Sequence, residues 1–429
     1  MTEPRPIHRR SLVIAALSTV VEWYDFTLYL YFATVLSRVF FGDGEASLVA
    51  TLGGFAVAYL MRPVGAVVFG HIGDRQGRRP MLMLSMAVMS AAMFLTALLP
   101  TEAQIGATAA WLLLALRCVM GFSVGGEYTG VVAYMLESAP ADRRGLIASS
   151  AAAASEVGAL LAVAVSAVTV SSMSNADLES WGWRIPFLVG AALAGAVLLA
   201  RTTMVESPDF EQRRLAGAIL ERPLLDALTR QRAGVLRAFA ISALGSITYY
   251  VGITYVPAFL TSAGSTSEGL SLWLSTVAAL AVILVTPAVG LLSDHIGRKP
   301  VLLVLAALAA ILPAPMFFWM ASGSTGHALA GAVILALVAG GVSAVGAVAT
   351  AEQFEGDARV SGLALGATMA TVIFGGLTPW LAQLLTGATG RSEIPGYMIA
   401  LVALAVIPVF VRMRETRPAP SRPGRKGAS

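Results

Sequence analysis

The chain has 429 residues, of which 57% are hydrophobic and only 13% are charged. Its mean hydropathy of +0.76 excludes a soluble globular protein, because too little polar surface is available. The net charge of +4 comes from basic residues spread over the predicted loops, so no nucleic-acid partner is expected. The single cysteine, Cys118, excludes a disulfide or a cysteine metal site within one chain.

Apolar segments long enough to cross about 30 Å of hydrocarbon as helices recur along the chain. Because a spanning backbone must satisfy its own hydrogen bonds, we predict an all-α membrane protein with twelve transmembrane helices. Most of the 29 basic residues lie at the termini or in even-numbered connections, which predicts that both termini are cytoplasmic. The predicted spans are residues 12–36, 48–69, 81–99, 108–136, 146–170, 183–200, 238–262, 270–292, 300–320, 328–350, 361–386 and 396–413.

The first predicted helix contains the stretch VEWYDF, in which Glu22 and Asp25 interrupt an apolar run. Ser18, Glu22, Asp25 and Tyr29 are four, three and four residues apart, so they form one stripe of the helix. Charged side chains inside a bilayer are costly, and two acids one turn apart should not both be ionised. We therefore predict that at least one of them binds a proton reversibly. The alternative is a permanent structural pairing with an arginine of helix 2 or helix 4.

Two arginines lie inside the next predicted spans, Arg62 in helix 2 and Arg117 in helix 4. The fork of a guanidinium group matches a carboxylate in geometry and charge. Arg117 could therefore bind substrate directly, or it could hold a protonatable acid until substrate arrives. For Arg62, attraction of substrate and a salt bridge of helix 2 are both open. Glu127 in helix 4 and Glu156 in helix 5 are further candidates for proton binding.

Apart from Arg412 near the end of the last one, the predicted spans of the second half contain no charged residue. Helices 7 and 11 offer instead hydroxyl, amide and aromatic side chains: Thr248, Tyr249, Tyr250, Tyr255, Thr371, Trp380 and Gln383. This asymmetry indicates that the first half carries the proton and charge chemistry. The second half would supply hydrogen bonds and an aromatic wall.

The chain contains an internal duplication. GHIGDRQGRRP is echoed by GLLSDHIGRKP, ESAPADRRG by EQFEGDARVSG, and MVES by MRET. Each copy follows the second, fourth or sixth predicted helix of its half, which predicts two six-helix bundles. The predicted domains are an N-terminal bundle at 1–200, a cytoplasmic linker at 201–237, a C-terminal bundle at 238–413 and a disordered cytoplasmic tail at 414–429.

The repeated loops place acids beside bases at the cytoplasmic ends of neighbouring helices. We predict that they form a cytoplasmic gate, which closes the inner side when the substrate site faces outward. Exposed ion pairs are worth about 0 to 1 kcal/mol each. Such weak pairs suit a gate that the binding of substrate and proton must be able to open. The alternative is that these charges only set the topology. The gate residues are Asp74, Arg78, Glu137, Arg144, Asp294, Arg298, Glu352 and Arg359.

The repeated GHIGDRQGRRP loop and the paired acid and arginine loops resemble the signature of the major facilitator superfamily, over essentially the whole chain. Within it, VEWYDF, LMRPVGA, RCVMGFSVGGEYTGVVAYMLE and WGWRIPF are similar to the metabolite:proton symporters. IFGGLTPW resembles members that carry citrate and related carboxylates, whereas GGEYTG is closer to the oxoglutarate and osmolyte branches. The resemblance implies a substrate site between two bundles near the membrane midplane, and a coupling role for Arg117.

The resemblance and the buried charges together favour a secondary active transporter, with proton-coupled symport of a small, citrate-like di- or tricarboxylate by alternating access. Import of a zwitterionic osmolyte such as proline or betaine, and export of an organic anion, are the alternative transport functions. A membrane sensor is the non-transport alternative. The residues predicted to contact substrate are Arg117, Arg62, Tyr29, Tyr128, Tyr249, Tyr250 and Thr371.

The sequence contains no Walker A loop, no HExxH motif and no nucleophile elbow, so we do not expect an enzyme. No cofactor or metal is expected, and the proton would be the coupling ion. The expected partners are membrane lipid, protons and the substrate, and the expected oligomeric state is a monomer. The expected location is the inner membrane, crossed many times.

Overall fold

The structure is a computed structural model that describes residues 9–42, 44–125, 131, 144–204, 206, 232–262, 266–354 and 366–416. It describes the backbone alone at 9–12, 15, 45, 70, 74, 78 and 144–152. Within these ranges the chain is helical and contains no strand, which confirms the predicted all-α fold class.

The first half of the described chain forms six long helical segments, α1 to α6. α1 is interrupted at Phe32 and α2 at Leu60, and each then continues as a second helical piece. The bounds are Arg9–Tyr31 with Ala33–Phe41 (α1), Glu45–Tyr59 with Met61–Arg75 (α2), Arg78–Ala97 (α3), Thr108–Val124 (α4), Arg144–Ser172 (α5) and Arg184–Arg201 (α6).

The second half forms α7 to α12 over its described residues. Its bounds are Arg232–Tyr249 continuing to Ser262 (α7), Glu268–Ile296 (α8), Arg298–Ile311 with Pro313–Met320 (α9), Thr325–Ala351 (α10), Gly366–Thr389 (α11) and Ile394–Arg412 (α12). α7 and α11 each contain one π-helical turn, at Tyr250–Thr254 and Val372–Gly376. Such turns are frequent at functional sites, and these two pack against each other.

Nine helices of the described chain are long and apolar enough to cross a membrane, or ten if the two parts of α9 are one span. The parts of α9 meet at a bend of 42°. α4 is a shorter apolar helix over its described residues. The count of twelve spans and the cytoplasmic orientation of the termini stay predictions.

Several helices are longer than their predicted spans. The predicted segments at 146–170, 270–292 and 328–350 lie inside α5, α8 and α10, which run for 29, 29 and 27 residues. Hydropathy marks only the part of a helix that lies in hydrocarbon, whereas the hydrogen-bonded backbone continues into the polar ends. The predicted linker 201–237 is helical at both ends, since α6 includes Arg201 and α7 begins at Arg232.

The weak echo between MVES and MRET corresponds to equivalent contacts in the two halves. The Glu206 carboxylate accepts a hydrogen bond from the backbone N–H of Arg79, at the start of α3 (3.2 Å). The Glu415 carboxylate accepts from the backbone N–H groups of Arg298 and Lys299, at the start of α9 (2.8 and 3.0 Å). Each carboxylate therefore satisfies orphan donors of the third helix of its own half.

The two halves meet along α5, which packs against α8 and α10, and along α2, which packs against α11. Buried apolar residues from both halves form one continuous core. Within the first half, α2 and α4 approach each other closely through glycines. A Cβ atom at Gly65 would overlap the carbonyl oxygen of Phe122, and one at Gly125 would overlap that of Arg62. This close packing of α2 against α4 fixes the positions of Arg62 and Arg117 relative to each other.

Candidate substrate and proton site

A buried ion pair joins α1 to α4. Arg117 Nη1 lies 3.1 Å from Asp25 Oδ2, and Arg117 Nη2 donates to Thr96 Oγ1 of α3 at 3.0 Å. The Arg117 and Asp25 side chains are only 5% and 3% exposed. The structure thus brings together two predicted site residues and adds Thr96, which no sequence signal indicated. Breaking such a pair by removing one charge is costly, because the other is left buried and uncompensated.

Arg117 is enclosed by aromatic rings. Its guanidinium carbon lies 5.7 Å from the ring centre of Tyr29 and 5.6 Å from that of Phe187. The Tyr29 hydroxyl donates to the carbonyl oxygen of Thr51 at 3.0 Å, so this predicted substrate contact is already engaged within the first half. A cavity of about 20 Å³ borders the ion pair, which is room for about one water molecule.

Arg62 of α2 lies against two other rings. Its guanidinium carbon is 4.1 Å from the ring centre of Phe26 and 4.4 Å from that of Tyr59. Among the described residues, no carboxylate oxygen lies within 4.0 Å of the Arg62 nitrogens, and its Nε has no acceptor. The rings stabilise the cation, while its Nε–H group stays available to an anion.

A cavity of about 170 Å³ lies between Arg62 and the second half. It has room for on the order of ten water molecules, or for a solute of similar size. Tyr249, Tyr250 and Thr371, proposed from the sequence as substrate contacts, line it together with Trp23. Sequence reasoning missed the other hydroxyl groups of the lining, which belong to Ser242, Ser246, Ser343 and Thr350. Their signal, small residues on one face of α7 and α10, also fits ordinary helix packing.

An aromatic layer separates this cavity from the buried ion pair. The rings of Phe26 and Tyr59 line the small cavity on one side and carry Arg62 on the other. The Tyr59 hydroxyl also shares a 2.5 Å hydrogen bond with the hydroxyl of Tyr250 on α7. The layer therefore borders the small cavity beside the ion pair, packs against the Arg62 guanidinium group and is hydrogen-bonded to the second half.

The predicted stripe of α1 faces protein along its whole length. Ser18 is fully buried, and Glu22, Asp25 and Tyr29 are each 2% exposed. Ser18 Oγ accepts a hydrogen bond from Arg201 Nε at 2.8 Å. Arg201, itself buried, was not singled out from the sequence because it lies where the apolar run of α6 meets the predicted linker. Glu22 and Asp25 thus lie on one stripe, with Arg117 bound to Asp25.

The other predicted site residues lie elsewhere. Glu156 of α5 is buried but lines neither cavity. Tyr255 donates to Gln383 Oε1 at 2.8 Å, away from both cavities, and Thr248 bonds within its own helix. Glu127 and Tyr128 fall outside the described residues. The proton and substrate roles assigned to all of these stay predictions.

The predicted cytoplasmic gate is described only in its second-half copy. Arg298 Nη1 lies 2.9 Å from Asp294, and Arg298 Nε lies 3.2 Å from Glu352. Thr416 Oγ1 donates to Glu352 at 2.6 Å. These described contacts lie within one half, so a latch that joins the halves stays a prediction. The side chains of Asp74, Arg78 and Arg144, and the whole of Glu137 and Arg359, fall outside the described residues.

An ion triad that the sequence did not predict lies at the opposite end of the helices. Arg38 Nε, at the end of α1, is 2.6 Å from Glu179, and Arg38 Nη2 is 3.1 Å from Glu268 at the start of α8. The triad therefore ties the first half to the second. Nearby, Trp273 Nε1 donates to Ser171 Oγ across the same interface at 3.3 Å. Charged residues are scarce in the odd-numbered connections, and this scarcity was the sequence signal that could have indicated the triad.

The chain matches two family profiles. The profile described as Sugar (and other) transporter covers residues 11–220, and the profile described as Major Facilitator Superfamily covers residues 265–429. A proline/betaine transporter of Escherichia coli is 31% identical over 432 residues, which span 98% of this chain and 86% of the relative. The chain belongs to the Major Facilitator Superfamily.

Two further similarities agree with membership of the superfamily. An alpha-ketoglutarate permease of Escherichia coli is 33% identical over 92% of this chain and 92% of the relative. The structure resembles that of the xylose transporter XylE from E. coli, with a TM-score of 0.76, 19% identity and coverage of 96% and 98% of the two chains. This superfamily member is a transporter and not an enzyme, and it is a multi-pass protein of the inner membrane, as the sequence predicted.

Proposed function

We propose that this superfamily member is a proton-coupled symporter, which takes up a small carboxylate-bearing solute by alternating access. The observation that supports the proposal is the difference between the surroundings of Arg117, which is buried, and those of Arg62, which is partly buried. Arg117 is bound to an acid that can take up a proton, whereas Arg62 faces a solute-sized cavity with no carboxylate on it among the described residues.

The closed triad at one end supports an inward-facing state. Some lining residues lie toward the ends of their helices, namely Ser242 of α7, Thr350 of α10 and Ala367 of α11. These helix ends are on the same side of the protein as the chain termini and the linker. The Arg38 triad closes the other end. If the termini are cytoplasmic, as the basic residues predict, the cavity belongs to the cytoplasmic side.

Binding of the proton and binding of the solute would influence each other through the aromatic layer. Protonation of Asp25 removes its charge and weakens its hold on Arg117. A solute carboxylate on Arg62 would press on Phe26 and Tyr59, which border the small cavity beside Asp25. The proton and the solute would thus each change the packing around the binding site of the other. Coupling requires such a difference in contacts between the states of the transporter.

The relatives support two substrate classes. One is named for proline and betaine, which are zwitterions, and another for alpha-ketoglutarate, a dicarboxylate. The motif resemblance to citrate carriers adds the tricarboxylates. All of these candidates carry at least one carboxylate, which Arg62 can bind. Export of an organic anion would use the same groups in the opposite direction.

Uptake by proteoliposomes under an imposed inward proton gradient tests the proposal. The panel is labelled citrate, tricarballylate, 2-oxoglutarate, proline and glycine betaine, with liposomes lacking protein as the blank. At least one carboxylate-bearing solute should accumulate above its external concentration, and a protonophore should abolish that accumulation. Transport of every accumulated solute at a rate indifferent to the protonophore would contradict proton coupling.

Loosening the Arg38 triad should open the opposite end of the cleft. Glu268→Gln removes one of two acids, and exposed or half-exposed pairs are worth up to about 1 kcal/mol, so we expect a shift of up to about fivefold toward the other state. The measurement is the rate at which an impermeant maleimide modifies Ser275→Cys in a Cys118→Ala background. Ser275 is buried on α8, about two turns inside the triad.

Glu102→Gln is the matched control, because Glu102 is an exposed acid of the same surface and makes no ion pair within the described chain. It should leave the modification rate unchanged. An equal rate in the Glu268 and Glu102 variants would show that the triad does not hold the cleft closed.

A further inference from the structure

The lining of the large cavity has an unusually simple charge pattern. Of its described residues, Arg62 is the one that carries a charge, and no acid and no second base contribute to the lining. The remaining polar groups are hydroxyls, for example those of Ser242, Ser246 and Thr350. The aromatic side chains are Trp23, Tyr249 and Tyr250.

A carboxylate on Arg62 would be neutralised in a bidentate geometry. A second carboxylate on the same solute would lie against aromatic rings and neutral hydroxyls. An ionised carboxylate that is desolvated without a cation costs several kcal/mol, and hydroxyl donors recover only part of that. The described lining of the cavity therefore favours one anionic group and disfavours two.

Arg117 cannot serve as the second cation in this state. It is bound to Asp25 and Thr96, and Phe26 and Tyr59 lie between it and the cavity. Freeing it for a solute would leave the carboxylate of Asp25 buried without its partner. The second half offers no base at the cavity within the described residues.

We propose that the transported solute carries a single ionised carboxylate, held by Arg62, and that Arg62 together with the uncharged wall of α7 and α10 rejects solutes that carry two or three ionised carboxylates. This inference deepens the proposed function and rests on it. It narrows the substrate to monocarboxylates, including zwitterions with one carboxylate, and places citrate-like anions outside the preferred class.

Isosteric pairs test the charge count directly. Succinamate and succinate differ only in the replacement of one carboxylate by an amide, as do 2-oxoglutaramate and 2-oxoglutarate. Binding to the purified protein is read from the ligand-dependent rise in melting temperature in detergent at neutral pH, with glycine betaine and citrate as further probes. Each monoamide should bind at least about tenfold more tightly than its dicarboxylate partner, since the unpaired charge is removed. Glycine betaine should bind more tightly than citrate.

Variants assign the preference to Arg62. Arg62→Gln should abolish stabilisation by the monocarboxylates, and Arg62→Lys should retain part of it, because a point charge lacks the planar fork. Arg391→Gln is the control, since Arg391 is exposed on the connection before α12 and is not among the described residues that line the cavity. It should leave every affinity unchanged.

Di- or tricarboxylates that bind as tightly as their monocarboxylate partners would overturn the inference, as would a complete failure of the monocarboxylates to bind. Its failure is distinguishable from failure of the proposed function. Proton-driven accumulation of a dicarboxylate would contradict the preference for one carboxylate but support proton symport. Binding of the monoamides without any proton-driven uptake would support the preference for one carboxylate but contradict proton symport.

Discussion

Asp25→Asn should abolish proton-driven accumulation of substrate while leaving exchange of substrate across the membrane intact. Asparagine resembles the protonated acid in shape and charge, so the solute-loaded transporter can still change state. The asparagine side chain cannot release or take up the proton, so the proton gradient no longer drives accumulation of the solute. The measurements are uptake under an imposed pH gradient and counterflow with substrate on both sides of proteoliposomes.

The single substitution also leaves Arg117 buried without its acid, which costs about 3–5 kcal/mol of stability in comparable buried pairs. The double variant Asp25→Asn with Arg117→Gln separates this effect from coupling, because neither charge remains. It should recover most of the lost melting temperature but none of the accumulation. Normal accumulation by either variant would assign the proton to another acid, with Glu22 and Glu156 the next candidates.

Gly65→Ala should destabilise the folded protein by at least about 3 kcal/mol, at the upper end of the cost of overpacking a core. The added methyl group would meet the backbone carbonyl of Phe122, which cannot rotate away as a side chain could. Separation of α2 from α4 would also change the relative positions of Arg62 and Arg117. The expected drop in melting temperature in detergent is roughly 3 °C or more.

Gly195→Ala is the matched control, because it is a helical glycine of the same half with nothing within 4 Å of the added methyl group. It should be neutral or slightly stabilising, since alanine has the higher helix propensity. Equal melting temperatures for the two variants would mean that α2 and α4 are not packed as closely as described.

Helix periodicity and composition were sufficient to predict the fold class. An apolar run of about 20 residues implies a helix because a helix satisfies its backbone hydrogen bonds in lipid within one segment. The spacing of Ser18, Glu22, Asp25 and Tyr29 likewise predicted a buried stripe, since residues three and four apart share a face. The echo between MVES and MRET corresponds to two equivalent helix caps.

Contacts between helices could not be predicted in the same way. Periodicity gives the face of one helix but not its partner, so the sequence left open whether Asp25 binds Arg62, Arg117 or neither. The choice depends on how closely α1, α2 and α4 pack. The Arg38 triad was missed because its three members come from connections far apart in the chain, which only the association of the two halves brings together.

Proton movement driven by substrate alone is the most direct measure of coupling. Proteoliposomes loaded with a pH-sensitive dye, with no initial pH difference and with the membrane potential clamped by potassium and valinomycin, receive an external pulse of a solute that accumulates in the uptake panel. The lumen should acidify with the wild-type protein and stay unchanged with Asp25→Asn. Entry of labelled solute into wild-type vesicles without acidification would contradict symport with protons.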